Sequence, residues 1–325
     1  MITHRPRRLR SSPMIREMVQ ENHLRASDFI APLFLQSQEG VTPIASMPGQ
    51  SRLGPKALLE EVRELRELGV KSIALFPAIE EAKKNPQASE AWNPNNLNFS
   101  AVKSIKDTFS DMLVMGDIAL DPYSSDGHDG IVDPKSGEIL NDETLEALIK
   151  QSLASAKAGF DILGPSDMMD GRIGVIREAL EESHFKNTLI MSYSAKYASG
   201  FYGPFRDALE SAPKKGDKKT YQMNPANGDE AIREALLDEA EGADILMVKP
   251  GLPYLDIVYR LKAQTTLPIA VYNVSGEYAM VKAASERGWI DGEKVMMESL
   301  MSFKRAGADI ILTYFAKEAA RLLNR

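Results

Sequence analysis

Two lysines follow apolar segments that have the length of buried strands. Residues 243–251 read ADILMVKPG, in which Lys249 ends the apolar run, and residues 188–197 read TLIMSYSAKY, in which Lys196 lies just past it. Burying an ammonium group lowers its pKa from about 10.4 towards neutrality, and a neutral amine can form a Schiff base with a ketone. If both lysines face one pocket, each ammonium lowers the pKa of the other. For a single lysine, a salt bridge or a side chain extended to solvent is the alternative.

The elements that must position these lysines form a weak repeat, in which a helix stops at glycine and an apolar strand begins two or three residues later. The eight predicted strands fall within residues 29–35, 69–76, 112–115, 159–164, 189–191, 242–246, 268–272 and 307–312. This pattern predicts a (β/α)₈ TIM barrel of class α/β. A doubly wound open sheet is the alternative, but no G-x-G-x-x-G motif or P-loop supports it.

Two helices are also predicted from their apolar positions. Residues 55–68 carry Pro55 near the first turn and place positions 58, 62, 65 and 68 on one stripe. The helix that opens at Asp229 is expected to turn Ile232 and Leu236 inward. Glu234 lies off that stripe, so it is expected on the surface.

In a TIM barrel the active site lies at the carboxyl ends of the strands. The polar residues that follow the predicted strands are Asp117, Ser166, Lys196, Lys249, Ser275 and Tyr314. Both lysines belong to this set. Each of the other residues, taken alone, is equally consistent with an ordinary loop.

Two loops add charged groups. Residues 117–130 contain four aspartates and a histidine, a composition that suits Mg²⁺ binding or acid-base chemistry. The spacing of these residues matches no strict metal motif. A polar loop is therefore the simpler interpretation. Residues 201–206 and 214–222 mix aromatic and cationic side chains, so Arg206 and Lys218 could bind a carboxylate or a phosphate.

The composition narrows the function classes. The chain has no cysteine, which excludes disulfides and thiolate metal sites, and its net charge of −7 argues against a general nucleic-acid partner. No apolar run reaches the length of a membrane span, and the basic start is not followed by a signal-type apolar core, so we expect a cytoplasmic protein with no membrane partner. Residues 1–27 hold the arginine-rich segment and are interpreted either as a flexible tail or as an arm that grips a neighbouring subunit, and residues 28–325 are interpreted as a single barrel.

Several motifs together resemble the 5-aminolevulinate dehydratase family, also called porphobilinogen synthases. They are SYSAKYAS at 192–199, YGPFR at 202–206, YQMNP at 221–225, MVKP at 247–250 and VSGEY at 274–278. The resemblance runs from the arginine-rich segment at 5–10 nearly to the C-terminus. It implies a lyase that condenses two molecules of 5-aminolevulinate to porphobilinogen with loss of two waters, in tetrapyrrole biosynthesis.

The resemblance also implies site roles. Lys249 and Lys196 would form Schiff bases with the two substrate molecules. Ser275 and Tyr314 would bind the first carboxylate, and Arg206, Lys218 and Gln222 the second. The remaining residues placed at the substrate are Asp117, Ser166, Tyr202, Phe205 and Tyr272.

The departures from the family pattern concern the metal. Zinc-dependent relatives carry three cysteines where this chain has Ala119, Asp121 and Asp129, so the chain resembles the magnesium-responsive branch and no zinc is expected. The resemblance implies an allosteric Mg²⁺ near Glu234 and leaves open a cation held by Asp121 and Asp129. It also implies a homo-octamer in which the arm embraces a neighbouring subunit.

Two other functions were weighed. A class I aldolase shares the barrel and a Schiff-base lysine but needs only one such lysine. A non-catalytic assembly or nucleic-acid-binding protein would use the arginine-rich arm, but the acidic net charge and the absence of aromatic residues between those arginines argue against it.

Overall fold

The computed structural model describes residues 1–209 and 213–324. Within these ranges the strands are β1 Phe29–Leu35, β2 Val41–Pro43, β3 Ser51–Leu53, β4 Ser72–Pro77, β5 Leu113–Ile118, β6 Ile131–Val132, β7 Ile139–Leu140, β8 Ile162–Pro165, β9 Leu189–Lys196, β10 Ile245–Lys249, β11 Ile269–Asn273 and β12 Ile310–Thr313. The α-helices are α1 Pro13–Met18, α2 Pro55–Glu67, α3 Leu97–Thr108, α4 Asn141–Ala158, α5 Arg172–Glu182, α6 Gly203–Leu209, α7 Asp229–Ala240, α8 Leu255–Lys262, α9 Ser275–Glu286, α10 Gly292–Ala306 and α11 Ala316–Leu323.

Eight parallel strands close into a barrel. Their order is β1, β4, β5, β8, β9, β10, β11 and β12, and β12 returns to pair with β1 through Phe29 opposite Ile311 and Ile30 opposite Leu312. This closure confirms the predicted TIM barrel and excludes the open sheet. The short strands β2 and β3 form an antiparallel hairpin beside β1, and β6 and β7 form a second hairpin before α4.

The predicted turn from helix to strand is present. Gly159 ends α4 and Gly307 ends α10, both in the left-handed conformation with φ of 109° and 113°. Such a cap suits glycine because it has no Cβ. The following residues lead directly into β8 and β12, so the glycine repeat does mark successive units of the barrel.

Helix α2 buries the predicted stripe through Leu58, Val62 and Leu65. The prediction for α7 was wrong by one position. This helix buries Ala231, Ala235 and Asp238, while Leu236 is exposed and Ile232 is only partly covered. Small residues let α7 approach the barrel closely, and Asp238 is buried because it meets a buried arginine, Arg172, at 3.3 Å.

The N-terminal segment stays outside the barrel. A 3₁₀ helix at Pro6–Arg10 and helix α1 contain no buried residue. Met14 and Met18 are 74% and 76% exposed. None of the helices in the described ranges combines the length and the apolar character needed to cross a bilayer.

Candidate active site

Lys249 ends β10 and lies inside the mouth of the barrel, where it is 6% exposed. Its amine is 4.9 Å from the ring centre of Tyr193, 4.5 Å from Tyr272, 5.3 Å from Tyr202 and 5.2 Å from Phe205. Burial, aided by the positive charge of Lys196, lowers the pKa of Lys249 to about 7. A large share of this amine is therefore unprotonated near neutrality.

Lys196 ends the neighbouring strand β9 and is directly opposite Lys249 in the strand register. Its amine contacts Asp129 Oδ1 at 3.0 Å and donates to the carbonyl oxygen of Ser166. The two lysines predicted from the sequence are thus adjacent at one end of the barrel. Their surroundings differ, since Lys196 has a carboxylate partner and Lys249 has aromatic walls.

Asp129 links three side chains of the site. Its second oxygen is 2.6 Å from the amine of Lys218 and accepts a hydrogen bond from the Tyr221 hydroxyl at 3.0 Å. Burial alone would raise the pKa of Asp129, but the charges of Lys196 and Lys218 outweigh it and hold that pKa well below its usual range. Lys218 also contacts Asp121 at 3.2 Å. The acidic loop and the cationic loop therefore meet beside Lys196.

Asp117 lies close to both lysines, at the end of β5. Burial raises the pKa of its carboxyl to about 7, against the opposing effects of Lys249 and Lys196. The Ser166 side chain hydrogen-bonds this carboxyl. Asp117 can therefore gain or lose a proton in the same pH range as Lys249.

Ser275 and Tyr314 lie on the Lys249 side of the site. The Ser275 hydroxyl accepts a hydrogen bond from the Phe205 backbone N–H at 3.0 Å and donates to the Phe201 carbonyl at 3.3 Å. The hydroxyls of Tyr314 and Tyr272 are 2.9 Å apart. These hydroxyls form a polar group next to the aromatic walls of Lys249.

The second predicted anion-binding group is only partly assembled. Gln222 is buried, and its Oε1 has no hydrogen-bond partner among the described residues. Arg206 is half-buried in α6. The Tyr202 hydroxyl is engaged by backbone groups, because it donates to the carbonyl oxygens of Tyr197 at 2.7 Å and Lys249 at 3.3 Å.

The two candidate metal positions differ. Asp121 and Asp129 direct their oxygens at lysine amines, so these carboxylates are already neutralised and do not form an open oxygen set for an active-site cation. Glu234 lines a separate cavity of about 500 Å³ together with Glu138, Asp170 and Glu230. Burial and the charge of Asp238 raise the pKa of Glu234. Within residues 1–209 and 213–324 no cluster of three or more acidic or histidine side chains forms a preassembled metal site.

Sequence reasoning missed several residues of the site. Tyr193 lies within the apolar run before Lys196, so it was counted only as part of a strand. Tyr221 and His128 form a pair at 3.1 Å that closes over Asp129, and nothing in their spacing of 93 residues indicated this contact. Tyr193 had one available signal, because it stands between two serines in an otherwise apolar strand and a buried tyrosine hydroxyl usually needs a polar partner.

Comparison with known proteins gives a consistent result. The family model described as delta-aminolevulinic acid dehydratase matches residues 3–322. The chain is 57% identical to delta-aminolevulinic acid dehydratase 1, chloroplastic, of Arabidopsis thaliana, covering 99% of this chain and 75% of that protein. It is 57% identical to the chloroplastic enzyme of Glycine max, covering 98% and 77%.

A solved structure agrees with these relatives. The delta-aminolevulinic acid dehydratase (porphobilinogen synthase) of Toxoplasma gondii ME49, in complex with the reaction product porphobilinogen, superimposes with a TM-score of 0.98. It is 52% identical and covers 99% of this chain and 92% of that chain. The barrel is therefore the same fold over essentially its whole length.

One prediction is overturned by these relatives and another is confirmed. The expected cytoplasmic location was wrong, because the similar plant proteins are named chloroplastic. The expectation rested on the absence of an apolar leader, whereas plastid targeting uses amphipathic, serine- and arginine-rich segments. The resemblance seen in the sequence motifs is confirmed: the chain belongs to the delta-aminolevulinic acid dehydratase family, whose members are lyases that form porphobilinogen from 5-aminolevulinate.

Proposed function

We propose that Lys249 and Lys196 are the amines through which this dehydratase joins two molecules of 5-aminolevulinate. The side-by-side register of the two lysines on β9 and β10 is the observation that carries the proposal. Each amine, once it has given up its proton, attacks the ketone carbon of one substrate and forms a carbon–nitrogen double bond, with loss of the ketone oxygen as water. The two bound molecules then lie next to each other, which favours the bonds between them.

The carboxylates of the two substrate molecules are bound by different groups. Ser275 and Tyr314 supply hydroxyl groups for the carboxylate of the molecule bound to Lys249. Arg206, Lys218 and Gln222 supply cationic and amide groups for the carboxylate of the molecule at Lys196. The burial of Gln222 and Lys218 supports this assignment, since a substrate carboxylate would accept hydrogen bonds from the Gln222 Nε2 amide and the Lys218 amine.

Proton transfer is assigned to Asp117, with Ser166 as its hydrogen-bond donor. Loss of water from the adduct requires a proton on the departing oxygen, and closing the ring requires removal of protons from carbon and nitrogen. Asp117 has a pKa of about 7, so it can both give and take a proton near neutrality. The aromatic rings around Lys249 exclude water from the carbon–nitrogen bond.

The assignment of the two lysines is tested by borohydride reduction in the presence of 5-aminolevulinate, because the reductant converts the carbon–nitrogen double bond to a stable amine. Peptide mass spectrometry is expected to find the adduct on Lys249 and on Lys196. The matched controls are Lys249→Met and Lys196→Met, each of which removes one adduct. A label on neither lysine in the active wild-type enzyme would reject this mechanism.

The same barrel suits a class I aldolase, which uses a single Schiff-base lysine. The aldolase alternative leaves the second buried lysine without a role, and the family match over residues 3–322 favours the dehydratase. The reaction with 5-aminolevulinate alone, followed by the appearance of porphobilinogen, distinguishes the two activities. An aldolase would instead cleave or join a carbonyl donor and an aldehyde.

Mg²⁺ is proposed as the metal of this family member, held near Glu234 as an allosteric activator rather than at the lysines. The carboxylates that line the Glu234 cavity support the proposal, because oxygen ligands together with retained water suit Mg²⁺. Burial raises the pKa of Glu234 and the negative charges of Asp238, Asp170 and Glu230 add to this effect, so a cation beside Glu234 would favour its ionised form. The absence of cysteine removes the thiolate ligands of a zinc site.

A homo-octamer is proposed as the assembled form, with residues 1–27 as the arm and residues 28–325 as the barrel domain. The exposed apolar residues Leu9, Met14, Met18 and Val19 support an arm that packs on another subunit, because a group of exposed apolar side chains, unlike a single one, marks an interaction surface. The arginines at 5–10 add charge that can face an acidic surface of a second copy.

A further inference from the structure

Glu277 is a buried carboxylate that the proposed mechanism does not use. It lies in the first turn of α9 and is 0% exposed. Its Oε1 accepts the backbone N–H groups of Gly251 at 3.1 Å and Leu252 at 2.7 Å. Its Oε2 accepts the side-chain amide of Asn273 and the backbone N–H of Val274, both at 2.8 Å. Four donors converge on this one side chain.

The hydrogen-bond network around Glu277 extends from the ends of β10 and β11 to the end of β12. The side-chain Oδ1 of Asn273 accepts a hydrogen bond from the Thr313 hydroxyl at 2.9 Å. The oxygen of that hydroxyl in turn accepts the Phe315 backbone N–H at 3.1 Å. Asn273 and Thr313 are 1% and 0% exposed, so water does not compete for these bonds. The network therefore joins the ends of β10, β11 and β12.

Each of the three tied segments carries a residue of the site. Gly251 follows Lys249 by two positions, and Val274 precedes Ser275. Tyr314 lies just past the end of β12, between Thr313 and Phe315. The substrate assigned to Lys249 has a ketone at one end and a carboxylate at the other. One small molecule must therefore span the distance from the amine to the two hydroxyl groups.

We propose that Glu277 is a positioning residue that, with Asn273 and Thr313, fixes the spacing between the amine of Lys249 and the hydroxyls of Ser275 and Tyr314. This inference rests on the proposed function, because it assumes that the same substrate molecule meets both groups. The carboxylate itself touches no reacting atom. It holds three backbone segments whose free movement would misalign a substrate bound at both ends.

The inference is tested with three variants and one matched control. Glu277→Gln keeps the shape and one acceptor oxygen, and Glu277→Met removes all acceptors. Thr313→Val leaves Glu277 in place and removes the link to Asn273 together with the bond from the Phe315 backbone N–H. The control is Thr265→Val, because Thr265 is also buried and accepts one backbone N–H two residues ahead, from Leu267 at 3.0 Å, but lies at the opposite end of β11.

Relative to Thr265→Val, which matches the lost backbone N–H bond, we expect the KM for 5-aminolevulinate to rise about tenfold in Thr313→Val, with a smaller change in kcat. This factor corresponds to the one further buried hydrogen bond that is lost, the bond to Asn273. The KM of Glu277→Gln is expected to lie between those of the wild type and Glu277→Met. Thr265→Val should change KM less than twofold. If Glu277→Met does not fold, Thr313→Val and Glu277→Gln still decide the outcome.

A second readout separates this inference from the mechanism on which it rests. Levulinate, a keto acid without the amine, is trapped with borohydride at increasing concentrations. The positioning role is supported if the wild type is labelled at Lys249 and Thr313→Val needs about tenfold more levulinate than the wild type for half labelling. The positioning role would be overturned if the wild type is labelled but the Glu277 and Thr313 variants need no more levulinate for half labelling than Thr265→Val does. No label at Lys249 in the wild type would instead reject the proposed function.

Discussion

Lys196 and Lys249 are paired in register on adjacent parallel strands, yet their amines have opposite surroundings. The Lys196 amine contacts the carboxylate of Asp129 at 3.0 Å, whereas the Lys249 amine faces four aromatic rings. Burial of the Lys249 amine, together with the positive charge of Lys196, favours the neutral form of Lys249. The two lysines are therefore distinguished chemically before either substrate binds.

The pH dependence of adduct formation at Lys249 follows from its pKa. Because that pKa is lowered to about 7, the neutral fraction falls about tenfold for each pH unit below 6 and is nearly constant above pH 8. The rate of borohydride-trapped labelling at Lys249 should follow this curve. Lys196→Met removes a nearby positive charge and should move the midpoint to higher pH, while Lys196→Arg should leave it in place. A wild-type rate that still rises steeply above pH 9 would contradict the assignment.

Asp129→Asn should lower both activity and stability. The substitution removes the charge that lies between Lys196 and Lys218, and breaking a buried ion pair in this way costs about 3 kcal/mol of unfolding free energy. Activity should fall about a hundredfold, since Lys196 loses the group that orients it. Urea denaturation and porphobilinogen formation measure the two effects. Asp126→Asn, in the same loop but outside this network, serves as the control, and equal behaviour of the two variants would refute the role of Asp129.

Glu234→Gln should abolish activation by Mg²⁺ while leaving metal-free activity in place, because Glu234 does not contact the lysines. After treatment with a chelator, Mg²⁺ is added back and activity is measured at each concentration. Glu182→Gln, an exposed carboxylate on α5, is the control and should respond like the wild type. Full recovery with Zn²⁺ alone, or normal Mg²⁺ activation of Glu234→Gln, would count against the proposed site.

Deleting residues 1–10 should reduce the size of the assembled particle. The segment has no buried residue in its own subunit, so its removal leaves the barrel core intact. Light scattering coupled to size-exclusion chromatography measures the mass, and circular dichroism checks that the barrel stays folded. A folded protein of unchanged mass would remove the proposed role of these residues in assembly.

The barrel and its two lysines could be predicted because their signals are local. Each strand is a short apolar run, and each lysine ends such a run, so chain order alone placed them at one end of the sheet. The helix face of α7 could not be predicted in this way. Ile232 and Leu236 are the more apolar pair, but the barrel instead covers Asp238, whose partner Arg172 lies 66 residues away.

The inner arrangement of the site depended on contacts that have no sequence signal. In the sequence, Asp129 is one aspartate of an aspartate-rich loop and therefore a possible metal ligand. In the structure it contacts two lysines, Lys196 and Lys218, and Lys218 lies 89 residues further along the chain. The network of Glu277 was missed for a similar reason. Three of its donors are backbone groups, and a backbone N–H looks the same in every sequence.

The aromatic walls of Lys249 have a consequence beyond a lowered pKa. A bare ammonium is small and strongly hydrated, so it loses more by leaving water than a broad, delocalised cation does. In the proposed mechanism this amine becomes an iminium, whose charge is spread over carbon and nitrogen, and the electron-rich faces of Tyr193 and Tyr272 lie 4.9 Å and 4.5 Å from that nitrogen. The same cage would then favour the iminium over the ammonium, because both cations contact the rings but the ammonium loses more hydration on burial.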